Sequence, residues 1–347
     1  MTQGDPFGSH RVVEPKGSLP QAAQKVDNDF SKVFETEMLL DVETLNIDAA
    51  SFRQMEEASV AEGDAGVVRL VKETVASRGK QHNPVTGSGG MLLGRVARIG
   101  SARSGDVAKV GDRVATLVSL SLTPLRIDSV STVHRMAAQL EVKGQAVLFQ
   151  SGAYAVIPSD MSDRLALAAL DVAGAPPQVA RICKKDDSVL ILGAGGKSGI
   201  LCAYEARKHV GPNGRVIGVE AYEPFAEDLA ALDLCDEVVV CDAKDPLAVR
   251  EAVLSANAGK EFDRAISCVN VPDAEMSCIL ATKNRGMIYF FSMTTSFTRA
   301  ALGAEGVGKD VDMLIGNGFA VGHAEHTLAL LREAPEIRAL FEARYAK

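Results

Sequence analysis

The chain has 347 residues, of which 47% are hydrophobic and 24% charged, a balance typical of a globular protein with room for two domains. Its formal net charge of −8 argues against broad binding to nucleic acid or to anionic membrane surfaces. Residues 1–18 lack an apolar core of signal-peptide length, and no stretch is apolar over the roughly 18 residues that a membrane span needs. We therefore expect a cytoplasmic protein with neither nucleic-acid nor membrane partners.

Short strand-like runs between glycine-rich turns fill the first 160 residues. This pattern predicts a β-rich domain built like a small barrel. One helix-like segment, residues 58–76, interrupts the strands. The predicted strands lie at residues 38–45, 91–99, 112–118 and 146–149.

From residue 163 onward, apolar strands alternate with helices. Such alternation predicts an α/β domain with a parallel sheet and helices on both faces. Residues 310–346 add a short strand at 314–315 and a helix with apolar positions at Leu328, Leu331 and Leu340. The five main strands are predicted at residues 189–192, 216–219, 237–240, 265–269 and 287–291.

A glycine turn after the first of these five strands carries the clearest functional signal. Residues 188–199 read SVLILGAGGKSG, and the next strand ends at Glu220, about 20 residues later. This pattern is typical of dinucleotide sites, where a glycine turn lets the backbone approach a pyrophosphate at a helix N-terminus. Glu220 would accept hydrogen bonds from the ribose hydroxyls, and its charge would repel a 2′-phosphate. We therefore expect NAD rather than NADP.

Two other interpretations of the glycine turn compete with a dinucleotide site. Gly196, Lys197 and Ser198 imitate the end of a nucleotide-hydrolase P-loop, but that motif needs a glycine where Ile191 stands. The turn could also be purely structural. The strand, the helix and the acidic residue at the expected spacing argue against that second interpretation.

The cysteines and histidines predict no metal site. None of the six cysteines forms a CxxC pair, and their apolar surroundings indicate small buried side chains in a reducing compartment. His323 and His326 could share a helix face, but no third ligand stands beside them.

Three stretches occur in the order seen in medium-chain dehydrogenases and reductases, which this chain resembles along nearly its whole length. Residues 84–96 read PVTGSGGMLLGRV, 109–114 read KVGDRV and 154–158 read YAVIP, and the glycine turn follows. The resemblance implies a GroES-like catalytic domain at residues 1–160 and a Rossmann-type domain at 161–309. It also implies that residues 310–347 return to the catalytic domain, that the active site lies in the cleft between the domains, and that the protein is a homodimer.

The departures from that superfamily concern zinc. Zinc-dependent members place a cysteine near the end of the second strand and a His-Glu pair after the glycine that corresponds to Gly87. This sequence has residues 46–49, NIDA, at the first place and Ser88-Gly89 at the second. The lobe that holds a structural zinc is absent too, so the resemblance implies a metal-free member.

Longer stretches resemble one family within the superfamily, the L-erythro-3,5-diaminohexanoate dehydrogenases. They are residues 11–20, RVVEPKGSLP, residues 40–52, LDVETLNIDAASF, and residues 82–91, HNPVTGSGGM. The resemblance implies oxidative deamination of a diamino acid with NAD, giving 5-amino-3-oxohexanoate, ammonia and NADH in anaerobic lysine degradation.

Two residues are predicted to act at the reacting amine. Asp48 and Ser51 stand where zinc-dependent relatives carry a metal ligand and a nearby polar residue. We expect Asp48 to orient or deprotonate the amine, which needs a positioned base. The alternative is that Asp48 only caps a helix or a turn after its strand.

Five further residues are candidates for binding the substrate, whose carboxylate and two amino groups call for both a cation and acids. Arg11, Glu14 and Lys16 come from the N-terminal stretch, and a surface ion pair is the alternative for each. His82 and Ser88 belong to the loop expected to line the active site. A structural role is the alternative for His82.

The remaining candidates would contact the cofactor, because ligands of such sheets bind beyond the carboxyl ends of the strands. Core packing stays open as the role of Cys268 and of Ser292. The predicted contacts are Gly193, Gly195, Gly196, Lys197, Ser198 and Gly199 for the pyrophosphate, Glu220 for the ribose, and Cys268, Val269, Ser292 and Met293 at strand ends. The resemblance implies a further contact, from Asp242 after the third strand to the adenine.

Two other functions remain open. A zinc-free quinone or enone reductase shares this fold, although such enzymes usually prefer NADP and carry basic residues where this chain has the acidic run from Glu220 to Glu223. A dinucleotide-binding protein without catalysis is the other possibility.

Overall fold

The computed structural model describes residues 3–292, 294–316 and 318–346. The chain divides into two compact units, Met1–Leu167 and Ala168–Lys347. The first unit ends a few residues beyond the predicted boundary at residue 160. The second unit includes residues 310–347, which differs from the expected return of this segment to the first domain.

Antiparallel sheets make up the first unit, as its strand-like runs predict. Its elements are β1 (Val12–Glu14), β2 (Lys25–Val26), β3 (Glu37–Asn46), α1 (Ala49–Ala58), α2 (Asp64–Arg78), β4 (Met91–Ile99), β5 (Arg113–Thr116), β6 (Leu125–His134), β7 (Gln139–Phe149) and β8 (Tyr154–Val156). The small sheet pairs β1 with β2, and the large sheet has the order β6-β7-β3-β4-β5-β8.

The larger hydrophobic cluster of the first unit includes apolar residues of this sheet. Leu40, Leu45 and Leu140, from the adjoining strands β3 and β7, are completely buried in it. The predicted strands are confirmed, but β6 was missed because an edge strand with polar residues on both faces lacks clear alternation. The helix predicted at 58–76 corresponds to α2, which starts after Gly63, a residue with φ at +59°, while α1 was not predicted.

A six-stranded parallel sheet forms the centre of the second unit. The elements from residue 163 onward are α3 (Asp163–Leu170), α4 (Ala175–Ile182), β9 (Ser188–Leu192), α5 (Lys197–Val210), β10 (Arg215–Glu220), α6 (Glu223–Ala231), β11 (Glu237–Val240), α7 (Pro246–Ala256), β12 (Phe262–Ser267), α8 (Glu275–Ala281), β13 (Thr282–Phe290), α9 (Phe297–Gly306), β14 (Asp312–Ile315), α10 (His323–Glu333) and α11 (Pro335–Tyr345). The strand order in the sheet is β11-β10-β9-β12-β13-β14.

The predicted Rossmann-type sheet is therefore confirmed. Strand β9 pairs with β10 on one side and with β12 on the other, so the strand order reverses at its carboxyl end. Such a reversal opens a crevice in which ligands of parallel sheets bind. In the described part of the chain, no helix is long and apolar enough to cross a membrane.

Candidate functional site

The glycine turn follows β9 at the point where the strand order reverses. Gly193 has a φ of +71°, a left-handed conformation that favours glycine. A Cβ on Gly199 would lie 2.1 Å from the carbonyl oxygen of Gly193, so only glycine lets α5 pack this closely on the turn. A Cβ on Gly196 would meet nothing nearer than 3.7 Å, so the backbone there is open to a ligand. This geometry fits a dinucleotide pyrophosphate.

Glu220 ends β10 beside the glycine turn. Its Oε2 accepts a hydrogen bond from the Gly195 N–H at 3.1 Å. Its Oε1 accepts from the N–H groups of Ala221 and Tyr222 at 2.9 and 3.1 Å. These three bonds hold the carboxylate at the edge of the turn, which is the place where the acidic residue of a dinucleotide site binds ribose.

The Lys197 ammonium has partners of its own within the second unit. It lies 2.5 Å from Asp171 Oδ2 and 5.7 Å from the centre of the Tyr345 ring. Burial lowers the pKa of Lys197, but the ion pair with Asp171 outweighs it, so that the pKa is raised. The lysine charge is thus already paired, so the predicted contact of Lys197 with a pyrophosphate would have to come from its backbone N–H group.

The predicted strand-end residues also meet the glycine turn. A Cβ on Gly193 would lie 3.0 Å from the Val269 N, and the Cys268 N–H donates to the Leu192 carbonyl at 2.8 Å. Ser292 reaches the same strand end through Thr294, whose Oγ1 lies 2.8 Å from the Ser292 Oγ and 3.5 Å from the Val269 carbonyl oxygen. Met293 lies outside the described residues.

Asp242 comes after β11, the neighbour of β10. The N–H of the preceding residue, Cys241, donates to the Glu220 carbonyl at 3.1 Å, which places Asp242 next to the acidic end of β10. Its own Oδ1 accepts from the Lys244 N–H at 2.9 Å. The structure thus brings Asp242 to the edge of the predicted site, with one carboxylate oxygen shaping a turn.

The cysteines are free thiols. Burial raises the pKa of Cys183 and of Cys235 to about 12, so neither is a thiolate near neutral pH. Cys202 and Cys268 lie 3.8 Å apart between their sulfur atoms, and burial also raises the pKa of Cys202. In the part of the chain that the structure describes, no group of three His, Cys, Asp or Glu side chains is placed to hold a metal ion.

In the first unit, Asp48 caps a helix, which is the alternative to its predicted role at the reacting amine. Its Oδ1 accepts from the Ser51 N–H at 2.9 Å and so caps α1. Its Oδ2 is buried and has no hydrogen-bond partner within the described residues. Ser51 is completely buried and its hydroxyl bonds to that of Thr86. The cap therefore fixes the direction of the carboxylate and leaves one oxygen without a partner.

Asn83 organises the loop that faces α1, and sequence reasoning missed it. Its Nδ2 donates to Gln54 Oε1 at 3.0 Å and to the Ser51 carbonyl at 3.4 Å. Its Oδ1 accepts from the Val85 N–H at 2.8 Å, which is an Asx-turn. An asparagine directly before Pro84 is the signal that could have revealed this turn.

The segment before Asn83 contains buried polar groups that lack partners. Both carboxamide atoms of Gln81 and the Nδ1 of His82 are buried without a hydrogen-bond partner in the described chain. Burial, with the nearby charge of Lys80, lowers the pKa of His82. Burial also lowers the pKa of Lys80 to about 8, and its ammonium donates to the Pro20 carbonyl at 2.6 Å.

The residues of this loop approach Asp48 through their backbone. A Cβ on Gly90 would lie 2.8 Å from the Asp48 N, and a Cβ on Gly89 would lie 2.3 Å from the Gln81 carbonyl oxygen. Ser88 is half-buried, and its carbonyl accepts from the Asn83 N–H at 2.9 Å. The structure thus brings Asp48, Ser88 and the segment with His82 to one side of the first unit.

Arg11 is built into the core of the first unit. It is 1% exposed, and its guanidinium forms a bidentate ion pair with the Glu37 carboxylate. Its Nε donates to Oε1 at 2.7 Å and its Nη2 to Oε2 at 2.8 Å. Its remaining N–H groups donate to the carbonyls of Asp29 and Lys32, both at 2.7 Å, and to Asp27 Oδ2 at 3.3 Å. Because all five N–H groups are used, this geometry argues against the predicted role of Arg11 in binding substrate.

Glu14 and Lys16 have a different environment. Both are exposed, Glu14 at the end of β1 and Lys16 in the turn that follows it. Within the described residues neither has an ion-pair partner, so both charges remain available to a ligand. The predicted pairing of these residues with the substrate's charged ends stays a prediction.

The sheet order and the glycine turn define a Rossmann-type fold, and the chain as a whole has the fold of the medium-chain dehydrogenases and reductases. Two solved structures share this fold. A mycobacterial protein complexed with NADPH is 17% identical, with 96% of this chain and 95% of that one covered and a TM-score of 0.55. The Escherichia coli quinone oxidoreductase complexed with NADPH is 16% identical, with 94% and 86% covered and a TM-score of 0.53.

Sequence comparison defines the family. Residues 10–158 match the model of the L-erythro-3,5-diaminohexanoate dehydrogenase N-terminal domain. The L-erythro-3,5-diaminohexanoate dehydrogenase of Acetoanaerobium sticklandii is 54% identical over 344 residues, 99% of each chain. The enzyme of that name from Fusobacterium nucleatum is 54% identical over 346 residues, 99% of this chain and 100% of the other. This chain belongs to the L-erythro-3,5-diaminohexanoate dehydrogenase family.

Proposed function

We propose that this protein oxidatively deaminates L-erythro-3,5-diaminohexanoate with NAD, as a step of anaerobic lysine degradation in the cytoplasm. The products are 5-amino-3-oxohexanoate, ammonia and NADH, and one water molecule supplies the new carbonyl oxygen. The observation that carries the proposal is the 54% identity, over 99% of this chain, to two dehydrogenases named for this substrate.

The preference for NAD over NADP rests on Glu220. Its carboxylate is held in place by the N–H groups of Gly195, Ala221 and Tyr222, so it cannot swing away to admit a second anion without losing those bonds. The two hydroxyls of an adenosine ribose would donate to it. A 2′-phosphate would meet its negative charge instead.

Bound nicotinamide would accept the hydride from the carbon that carries the amine. The chain must supply a base, because an ammonium group has to lose a proton before that carbon is oxidised. We assign acceptance of this proton to Asp48 Oδ2, which has no hydrogen-bond partner among the described residues and whose direction is fixed by the bond from the Ser51 N–H to Oδ1. Neither of these steps needs a metal ion, and we propose that the reaction is metal-free.

Substrate recognition requires opposite charges at the two ends of the molecule. Lys16 is exposed and is our candidate for the carboxylate, while Glu14 is the candidate for the second ammonium group, the one that is not oxidised. Ser88 and His82 lie in the loop beside Asp48 and would contact the carbon chain of the substrate between its charged ends.

Coupled product analysis tests the proposal. Purified protein, treated with a chelator, is incubated with L-erythro-3,5-diaminohexanoate and NAD, and NADH and ammonia are measured together. We expect equal amounts of the two, with slower turnover when NADP replaces NAD. Turnover of a quinone or enone with NADPH, and none of the diamine, would favour a reductase and contradict the proposal.

A further inference from the structure

The C-terminal helix α11 reaches the glycine turn through Arg344. The Arg344 Nη1 donates to the Gly195 carbonyl at 2.7 Å, while its Nε and Nη2 lie 3.1 and 2.5 Å from Asp228 Oδ2. Its guanidinium also lies 4.1 Å from the centre of the Phe225 ring, and the side chain is only 11% exposed. One arginine thus joins α11, α6 and the turn.

These contacts hold Gly195 from both sides. Its N–H donates to Glu220 at 3.1 Å, and its carbonyl accepts from Arg344. A Cβ on this residue would lie 2.8 Å from the Phe225 Cβ, so the backbone fills a narrow slot. Because the peptide unit is planar, fixing this carbonyl also fixes the N–H of Gly196, which points in the opposite direction.

The N–H groups that follow are the ones a pyrophosphate needs. Those of Lys197, Ser198 and Gly199 begin α5, and none has a hydrogen-bond partner within the described residues. The first backbone bond of α5 is made by the Ile200 N–H to the Gly196 carbonyl at 3.0 Å. The direction of these three donors therefore depends on the two peptides before them. Glu220 holds the Ala194–Gly195 peptide through its N–H, and Arg344 holds the Gly195–Gly196 peptide through its carbonyl.

We propose that Arg344 is a positioning residue of the dinucleotide site, which makes the C-terminal helix part of that site. Arg344 holds the Gly195–Gly196 peptide in the orientation that directs the first N–H groups of α5 at the pyrophosphate. A charge-assisted bond to a backbone carbonyl is strong enough to do this, and its planar guanidinium can bind Gly195 and Asp228 at once. The inference rests on dinucleotide binding alone and not on the identity of the substrate.

The test measures binding of NADH to the whole chain without substrate, by NADH fluorescence. Arg344→Met removes the bond to Gly195, and we expect its Kd for NADH to rise about tenfold, the scale of one charge-assisted hydrogen bond. Arg344→Lys keeps a charged donor but loses the planar guanidinium that binds two partners at once, so its Kd should rise only about threefold. Lys208→Met is the control, because the Lys208 pair with Glu333, at 2.8 Å, also joins two helices of this unit without touching the turn.

Kinetics separate positioning from a general loss of structure. In Arg344→Met the KM for the dinucleotide should rise while kcat at saturating dinucleotide stays within twofold of the parent value. An NADH Kd equal to that of the parent or of Lys208→Met would overturn the proposal. If Arg344→Met does not fold, Asp228→Asn serves instead, because it removes the charge that orients the Arg344 guanidinium. We expect the NADH Kd of Asp228→Asn to rise about threefold. An unchanged Kd in this variant would count against the proposal.

Discussion

Replacing Arg11 separates its two possible roles, one in the core and one in binding substrate. The Arg11→Met variant leaves Glu37, which is completely buried, without its cation. It also leaves the carbonyls of Asp29 and Lys32 without the donors that Arg11 supplies at 2.7 Å. A buried charge that loses its partner is among the most destabilising changes in proteins.

The magnitude follows from the pKa of Glu37. Burial raises this pKa, but hydrogen bonds from Arg11 and His10 and from the Phe34 N–H outweigh it and bring it from 4.5 to about 2. At 1.36 kcal/mol for each pKa unit, the charged form gains about 3 kcal/mol from its surroundings, and the hydrogen bonds from Arg11 are the largest favourable cause. Measured losses for one partner of a buried pair are about 3–5 kcal/mol.

The assay is chemical denaturation of Arg11→Met and of the parent protein, together with steady-state kinetics. We expect the free energy of unfolding to fall by about 3 kcal/mol and the melting temperature by about 10 °C, with little change in the substrate KM. Arg53→Met is the control, because Arg53 and Glu57 form an exposed pair worth less than about 0.5 kcal/mol. Unchanged stability with a raised KM would refute the core role and restore Arg11 to the substrate site.

Three further predictions concern Asp48, Glu220 and Glu37. Asp48→Asn should lower kcat at least about 100-fold and leave NADH binding unchanged. Asp41, an exposed acid on β3, provides the control, and Asp41→Asn should leave kcat unchanged. Equal kcat values for the two variants would show that Asp48 is not the base. Glu220→Gln should shift the ratio of kcat/KM for NAD and NADP about tenfold toward NADP. Glu223→Gln is the control and should leave this ratio unchanged. An unchanged ratio in Glu220→Gln would contradict our account of Glu220. Because the pKa of Glu37 is depressed, its contribution to stability should be complete above about pH 4.5 and be lost as the pH falls toward 2. Denaturation of the parent and Glu37→Gln between pH 2 and 6 measures this, and parallel curves would contradict it.

The dinucleotide fold was predictable because its signals are local. Strand β9 is buried on both faces, so it reads as an unbroken apolar run, and its glycine turn has a fixed spacing to Glu220. The alternation of strands and helices after residue 163 predicted the parallel sheet for the same reason.

What the sequence could not predict are contacts between distant residues. Nothing in the sequence around Arg11 indicates that it will be buried against Glu37, and an arginine in that stretch is equally suited to the surface. Lys197 stands inside the glycine turn, yet its charge is taken up by Asp171. Arg344 gives no hint of its bond to Gly195, because helical periodicity says nothing of which turn a helix end will meet.

Transfer of deuterium from the substrate tests the central claim most directly. L-erythro-3,5-diaminohexanoate labelled with deuterium at carbon 3 is oxidised with NAD, and the NADH formed is examined by NMR or mass spectrometry. We expect one deuterium at C4 of the nicotinamide for each ammonia released, since the hydride leaves the carbon that carries the amine. Unlabelled NADH, or NADH formed without ammonia, would contradict an amine dehydrogenase.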